Sequence, residues 1–234
     1  MKALKKIVTT LFGTFLIYGA VALALKANIG VLPVDAAITS ISDVSGVRVG
    51  YVAMMFHGLF FIGQILIERK SYRPIELLQL ITIVFGGTAL NFVSDVLLAD
   101  LVITAYPLRL ITAVSAFLLG AFGCRLVLET HFIRTAMEGC IQLIADRSGK
   151  KNGTLRQMTD AFLVMVSVSL TLIFTVNWSA GGFADVISSG KWRLREGTII
   201  AALIFGPAMD IFRKPVQRAL LALRIVEEKE LSKA

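Results

Sequence analysis

Long apolar runs without charge alternate along the chain with short polar segments. Ile7 to Leu25 is the first, nineteen residues without a charge, and others follow at Gly50 to Ile67, Leu77 to Leu98, Leu108 to Leu128, Met158 to Val176 and Gly197 to Phe212. A hydrocarbon core about 30 Å thick needs roughly 20 apolar residues per helix, so the pattern predicts an all-α, polytopic bundle of about six membrane spans. Lys2, Lys5 and Lys6 before the first run and the small residues near Ala22 and Ala24 resemble a cleaved signal. That run is longer than the roughly 7 to 15 residues of a signal core, and further spans follow it, so it is read as a span.

Two segments between spans are too short to cross. Val34 to Val44, with Ile38 and Ile41 at helical spacing and Gly46 beyond its end, predicts a short amphipathic helix of about 11 residues, near 16 Å long. Such a helix either dips into the bilayer as a re-entrant half-helix or lies flat at its surface. Pro33 suits a first helical turn and Asp35 the positive end of the helix dipole.

The second such segment repeats the first. Leu25 to Gly50 laid over Leu128 to Gly153 at an offset of 103 matches Leu25/Leu128, Ile38/Ile141, Ile41/Ile144, Asp43/Asp146, Ser45/Ser148, Gly46/Gly149 and Gly50/Gly153. These are seven identities in 26 positions, where about two are expected from residue frequencies. Asp35/Glu138 and Arg48/Lys151 are conservative pairs in the same window. A second block, Phe85-Gly86-Gly87 through Phe92 against Phe205-Gly206-Pro207 through Phe212, aligns at an offset of 120, the difference falling in an enlarged loop around Trp178 to Lys191. Three spans per repeat, an odd number, would insert the halves in opposite senses, the inverted architecture recurrent among secondary transporters. The expected organisation is one membrane domain over 1–234, with repeat one at about 7–98, repeat two at about 108–212 and a basic amphipathic helix at 213–230.

Composition agrees with a lipid solvent: 56% of residues are hydrophobic and 17% charged, and the mean hydropathy is +0.77. The net charge of +8 could suggest nucleic acid, but the basic residues are spread over short loops with no soluble domain to gather them. Anionic membrane lipid at the inner leaflet is the expected partner. With the amino terminus inside, 17 Lys and Arg fall on the inner side and six on the outer, which predicts both termini in the cytoplasm. Cys124 and Cys140 lie in apolar helices without metal-ligand spacing, so neither a disulfide nor a metal is expected. No phosphate loop, zinc motif or nucleophile elbow appears, so no cofactor and no enzymatic activity are expected.

Ionisable or strongly polar groups within spans are expensive and so mark candidate sites. They are His57, Asn91, Asp95, Arg125, Asp160 and Asp210. His57 and Asp160 are equivalent at the offset of 103 and could relay a proton; otherwise Asp160 sits at a wet helix start and His57 bonds a carbonyl. Asp35 and Glu138, equivalent on the two short helices, could line a central pocket or simply cap their helices. Arg134, just before the second short helix, either attracts an anion at a buried helix start or is one more inner-side charge. Arg125 and Glu129, four apart, can pair, and Gly120 and Gly123 allow close helix approach.

The run Lys26-Ala27-Asn28-Ile29-Gly30, then Pro33, Asp35 and Ser45-Gly46-Val47-Arg48-Val49-Gly50, resembles the first conserved stretch of the YczE/YyaS/YitT family of small bacterial integral membrane proteins. Gly197-Thr198, Phe205-Gly206-Pro207 and Asp210 resemble that family's final helix. The second repeat departs from the pattern, with Ile133, Arg134 and Ala136 where a glycine and a proline would precede the acidic residue. The resemblance implies a bacterial inner membrane and no settled activity. The expected function is a small-solute transporter, or the substrate-capturing membrane subunit of one, with Asn28, Asp35, His57, Asn91, Arg134, Glu138, Asp160 and Asp210 as candidate substrate-binding residues. The alternative is a non-transporting accessory protein that assists export or a biosynthetic complex.

Overall fold

The structure is a computed structural model and describes residues 2–69, 72–130, 132–133, 135–150, 152–175, 186 and 192–227. Its long helical elements are α1 (Lys2–Ala27), α2 (Pro33–Ser45), α3 (Val49–Glu68), α4 (Gln79–Phe92), α5 (Tyr106–Glu129), α6 (Ala136–Ser148), α7 (Asn152–Leu170) and α8 (Glu196–Ala222). A 3-10 turn over Pro74–Leu78 leads into α4, and π-helical turns over Val93–Leu97 and Thr171–Thr175 extend α4 and α7. No strand occurs among the described residues.

Five helices are long and apolar enough to cross a membrane: Lys2–Ala27, Val49–Glu68, Pro74–Leu97, Tyr106–Glu129 and Gly153–Phe174. The sixth expected span, Gly197 to Phe212, lies within the 27 residues of α8, but Glu196, Asp210, Arg213 and Lys214 break its apolar stretch. The expected basic helix from 213 is the continuation of α8, which ends at Ala222; positions 228–230 and the enlarged loop, apart from Val186, lie outside the described residues.

Large apolar side chains point outward. Met55, Leu59, Ile62 and Leu66, spaced along one face of α3, are 69, 68, 52 and 68% exposed. The interior is instead built of small residues, with Ala22, Ala36, Ala37, Ala53, Ala113 and Ala201 fully buried. Water would not tolerate such a surface, whereas lipid solvates it and leaves close contact between small residues to hold the helices together. The crossing of α1 and α5 shows the effect: a Cβ on Gly123 would stand 2.8 Å from the Gly13 carbonyl oxygen and 3.0 Å from the Leu16 Cβ.

The chain ends share one face of the bundle, where Lys2 pairs with Glu227 and the Lys5 ammonium donates to the Leu223 carbonyl at 3.0 Å. On the opposite face α1 ends and α8 begins, the Gly197 N–H donating to the Ile29 carbonyl at 2.7 Å. Lys26 donates there to the Ala99 carbonyl beyond α4, and Asn91 of α4 accepts from the Gly50 N–H at the start of α3 at 2.8 Å. Hence α3 starts on that face and its end, near Ile67, returns to the face of the chain termini.

The two short helices are each 13 residues, about 20 Å at 1.5 Å per residue, and their boundaries coincide at the offset of 103. Each closes on a glycine in the left-handed region, Gly46 at φ +70° and Gly149 at φ +67°, a conformation that costs other residues energy. The α2 helix runs along α7, with Ser40 bonded to Ser167 at 2.8 Å and to Thr171 at 3.5 Å, and near its end Asp43 pairs with Arg193 at 2.9 Å. The α6 helix runs along α3, where Gln64 donates to the Ala136 carbonyl at 2.5 Å, and Arg147 donates to the Ile67 carbonyl. The two therefore finish on opposite faces, and both begin inside the bundle. Several element contacts are reciprocal: α2 packs on α7 as α6 packs on α3, and α1 on α4 as α5 on α8, with α1 and α5 crossing each other, whereas α3 packs extensively on α4 and α7 has no comparable contact with α8 among the described residues.

Candidate functional site

The inward-facing starts of α2 and α6 carry an acid at the same place, Asp35 and Glu138, each the third residue of its helix. Neither helix has a side-chain cap hydrogen bond, so these carboxylates are free for other partners while still favoured by the helix dipole. Glu138 pairs with Arg156 of α7, and Arg156 Nε donates to both Asp160 oxygens at 3.2 Å. Arg156 also lies within electrostatic reach of Asp35. One guanidinium thus pairs with acids from α6 and α7 and lies near the acid of α2.

The cluster is neither sealed nor a surface patch. The Arg156, Glu138 and Asp160 side chains are 35, 39 and 29% exposed, and Asp35, Tyr18 and His57 are partly buried. Tyr18 of α1 interacts electrostatically with Asp35. Its ring meets His57 edge-on, centroids 6.3 Å apart, and Phe56 meets His57 at 6.0 Å. Beneath them a core of Ala22, Ala37, Ile38, Ala53, Met137 and Leu163 joins α1, α2, α3, α6 and α7. The site is a polar crevice floored by apolar packing from both halves of the chain.

Of the residues expected from sequence, Asp35, His57, Glu138 and Asp160 gather around this crevice. His57 and Asp160 make no contact with each other: Asp160 turns to Arg156, and the His57 ring packs against Tyr18 and Phe56. Asn91 holds the start of α3 through Gly50, as described above. Asn28 has a positive φ of 52°; its carbonyl accepts from Arg195 at 3.2 Å, and with Leu25, Gly30, Val31 and Arg193 it lines a crevice with no room for a water molecule. A Cβ on Gly30 would stand 2.6 Å from the Thr198 backbone nitrogen, so the Asn28-Ile29-Gly30 and Gly197-Thr198 motifs meet as a packed joint. Asp210 is exposed on α8, and Asp95 faces Arg48 at 3.7 Å. Arg134 lies outside the described residues.

Arg156, two residues before the fifth predicted span at Met158, is not among the expected site residues, yet it is the residue on which the crevice turns. Helix α7 begins at Asn152, which puts Arg156 one turn inside it. Its spacing of four from Asp160 was the available signal. Arg125 and Glu129, also four apart, pair at 2.6 Å as expected, 13 and 4% exposed; Gln217 donates to Glu129 at 2.9 Å and Arg213 approaches it at 3.9 Å. Cys124 and Cys140 are free thiols. No group of side chains able to hold a metal ion occurs among the described residues.

Neither a curated protein nor a solved structure matches the chain. Over residues 4–214 it matches a family of unknown function, DUF6198, and it belongs to that family.

Proposed function

We propose that the protein is a small-solute transporter, or the substrate-capturing membrane subunit of one, built from two inverted halves around the Arg156 crevice. The observation that carries this reading is the convergence of Asp35 and Glu138, from half-helices that enter the bundle from opposite faces, on one partly accessible arginine. Discontinuous helices whose inner ends meet polar groups near the bilayer midplane are how many carriers hold a solute. Coincident helix boundaries at an offset of 103 and reciprocal packing of α2 on α7 and α6 on α3 support the two-fold relation. A charged cluster inside a lipid-facing bundle is costly, and a structural role alone would be served more cheaply by apolar packing. The resemblance to the YczE/YyaS/YitT family and the excess of basic residues expected on the side of the chain ends support, on this reading, a bacterial inner membrane with both termini cytoplasmic.

The test is flux from purified protein. Proteoliposomes incubated with a bacterial metabolite extract should accumulate at least one solute, read by mass spectrometry, that liposomes carrying Glu138→Gln do not. No difference between wild-type, variant and empty liposomes would remove the transport reading, and cross-linking that recovers a stoichiometric partner would then favour the accessory role. Reporters fused after Gly149 and Ala234 should both read cytoplasmic; opposite readings would overturn the orientation.

A further inference from the structure

The two halves of the chain close differently. On the face opposite the chain ends, the start of α3 is seated directly on α4: a Cβ on Gly50 would stand 2.0 Å from the Gly87 carbonyl oxygen, and the Gly50 N–H donates to Asn91 at 2.8 Å. Around this joint Ile83, Gly86, Gly87, Leu90 and Asn91 are buried. At the offset of 120 their counterparts on α8 are Leu203, Gly206, Pro207, Asp210 and Ile211, and every one of them is exposed. Gly153, the counterpart of Gly50 at the start of α7, is exposed too, and a Cβ there would meet nothing within 4 Å. The joint that shuts the first half is open in the second.

The open surfaces lie beside the Arg156 crevice and are polar where the first half is apolar. Cys124 of α5 interacts electrostatically with Glu138 and Arg156, and Phe122, two residues earlier, meets Phe212 of α8, so Asp210 and the crevice stand at one level of the bundle. Met54, packed against Gly87 in the closed joint, has Gln157 as its counterpart, and Leu90 has Asp210. Gln157 and Asp210 are both exposed and make no hydrogen bond or ion pair among the described residues. Lipid solvates such groups poorly; the lipid-facing side of α7 carries Met158, Phe162 and Met165 instead. Arg156, one turn inside α7, is 35% exposed, and the start of α7 lies on the face of the chain ends.

We propose that the opening between α7 and α8 is the aqueous entrance to the Arg156 crevice, and that it closes when Gly153 seats on α8 at Pro207 to Ile211, as Gly50 seats on Gly87 and Asn91. The inference rests on the transport reading and its two-fold relation, and gives the gate by which the crevice would be exposed to one face at a time. Full-length protein in lipid nanodiscs tests it, with Cys124→Ala and Cys140→Ala removing the native thiols. The probe is a charged methanethiosulfonate, which reacts with thiolates and so with thiols that water reaches. Gln157→Cys and Asp210→Cys should react roughly tenfold or more faster than Met54→Cys, Leu90→Cys and the lipid-facing Met165→Cys. Gly153→Cys with Ile211→Cys reads the closure: oxidation should join them within one chain, which requires their Cα atoms to come within about 7 Å. Asp210→Cys reacting no faster than Met165→Cys would overturn the entrance, and Gly153→Cys and Ile211→Cys that label freely but never join, or join only between two chains, would overturn the closure. If Asp210→Cys fails to fold, Gln157→Cys and Gly206→Cys decide, and shielding of both overturns the proposal. Fast labelling and joining in protein that moves no solute would leave the entrance standing and sink transport. Flux through protein whose Gln157→Cys and Asp210→Cys are shielded would do the reverse.

Discussion

Arg125 and Arg156 each pair with an acid four residues on along the same helix, yet they make two different objects. At Arg125 the carboxylate of Glu129 is 4% exposed and is held further by Gln217 and Arg213. Helix α8 lies across this pair, with Phe122 and Phe212 meeting edge-on at 5.5 Å beside it. At Arg156 the partners are 29 to 39% exposed, and a second acid, Glu138, arrives from a half-helix. The same local spacing becomes a clamp where a long helix seals it, and a crevice where two short helices begin beside it. Solvent access and an excess of acid, not the ion pair itself, distinguish the two.

The largest effect should come from Glu129→Gln, which leaves Arg125 charged and buried without its partner. A cost of about 3 to 5 kcal/mol is expected, read as a steep fall in folded yield and thermal midpoint in nanodiscs; a shift no larger than that of Glu138→Gln would erase the contrast between the two centres. Next, Gly123→Val should cost about 1 to 3 kcal/mol by forcing apart α1 and α5 where the Gly13 carbonyl oxygen is 2.8 Å from the new Cβ position. Ser40→Ala removes the buried hydrogen bonds from α2 to Ser167 and Thr171 and should cost about 1 kcal/mol, most of it from the shorter Ser167 bond, with Ser167→Ala adding less than its own share because that bond is already lost. Smallest in stability is Glu138→Gln, below about 1 kcal/mol for a pair so exposed, while solute movement is lost. Thermal unfolding and flux on the same preparation separate these outcomes, and a large fall in stability without loss of flux would make Glu138 a clamp like Glu129.

Much of the helix pattern was legible along the chain because hydrophobic length and charge are local quantities. The five apolar spans, the turn ended by Gly46 and again by Gly149, and the acids Asp35 and Glu138 in matching first turns all follow from spacing alone. The candidate site was legible only in part. Asn91 looked like a buried polar group awaiting a ligand, but its partner is the Gly50 N–H on a neighbouring helix, 41 residues away. Asp210 looked buried because apolar residues flank it in sequence, and it faces outward because α8 packs on α5 with its other side. Arg156 escaped because its own charge ended the apolar window at Met158 and so moved it, on paper, into a loop.

What the sequence determined by itself is the solvent and the elements: lipid outside, helices of spanning length, and two half-length helices with acids at their starts, since each depends on residues within one or two turns. What only the tertiary structure decided is which charges meet. Bringing Asp35, Glu138 and Asp160 around one arginine requires α2 to lie on α7 and α6 on α3, contacts between segments more than seventy residues apart. No local periodicity encodes them, because they arise from the fit of small residues across helix faces.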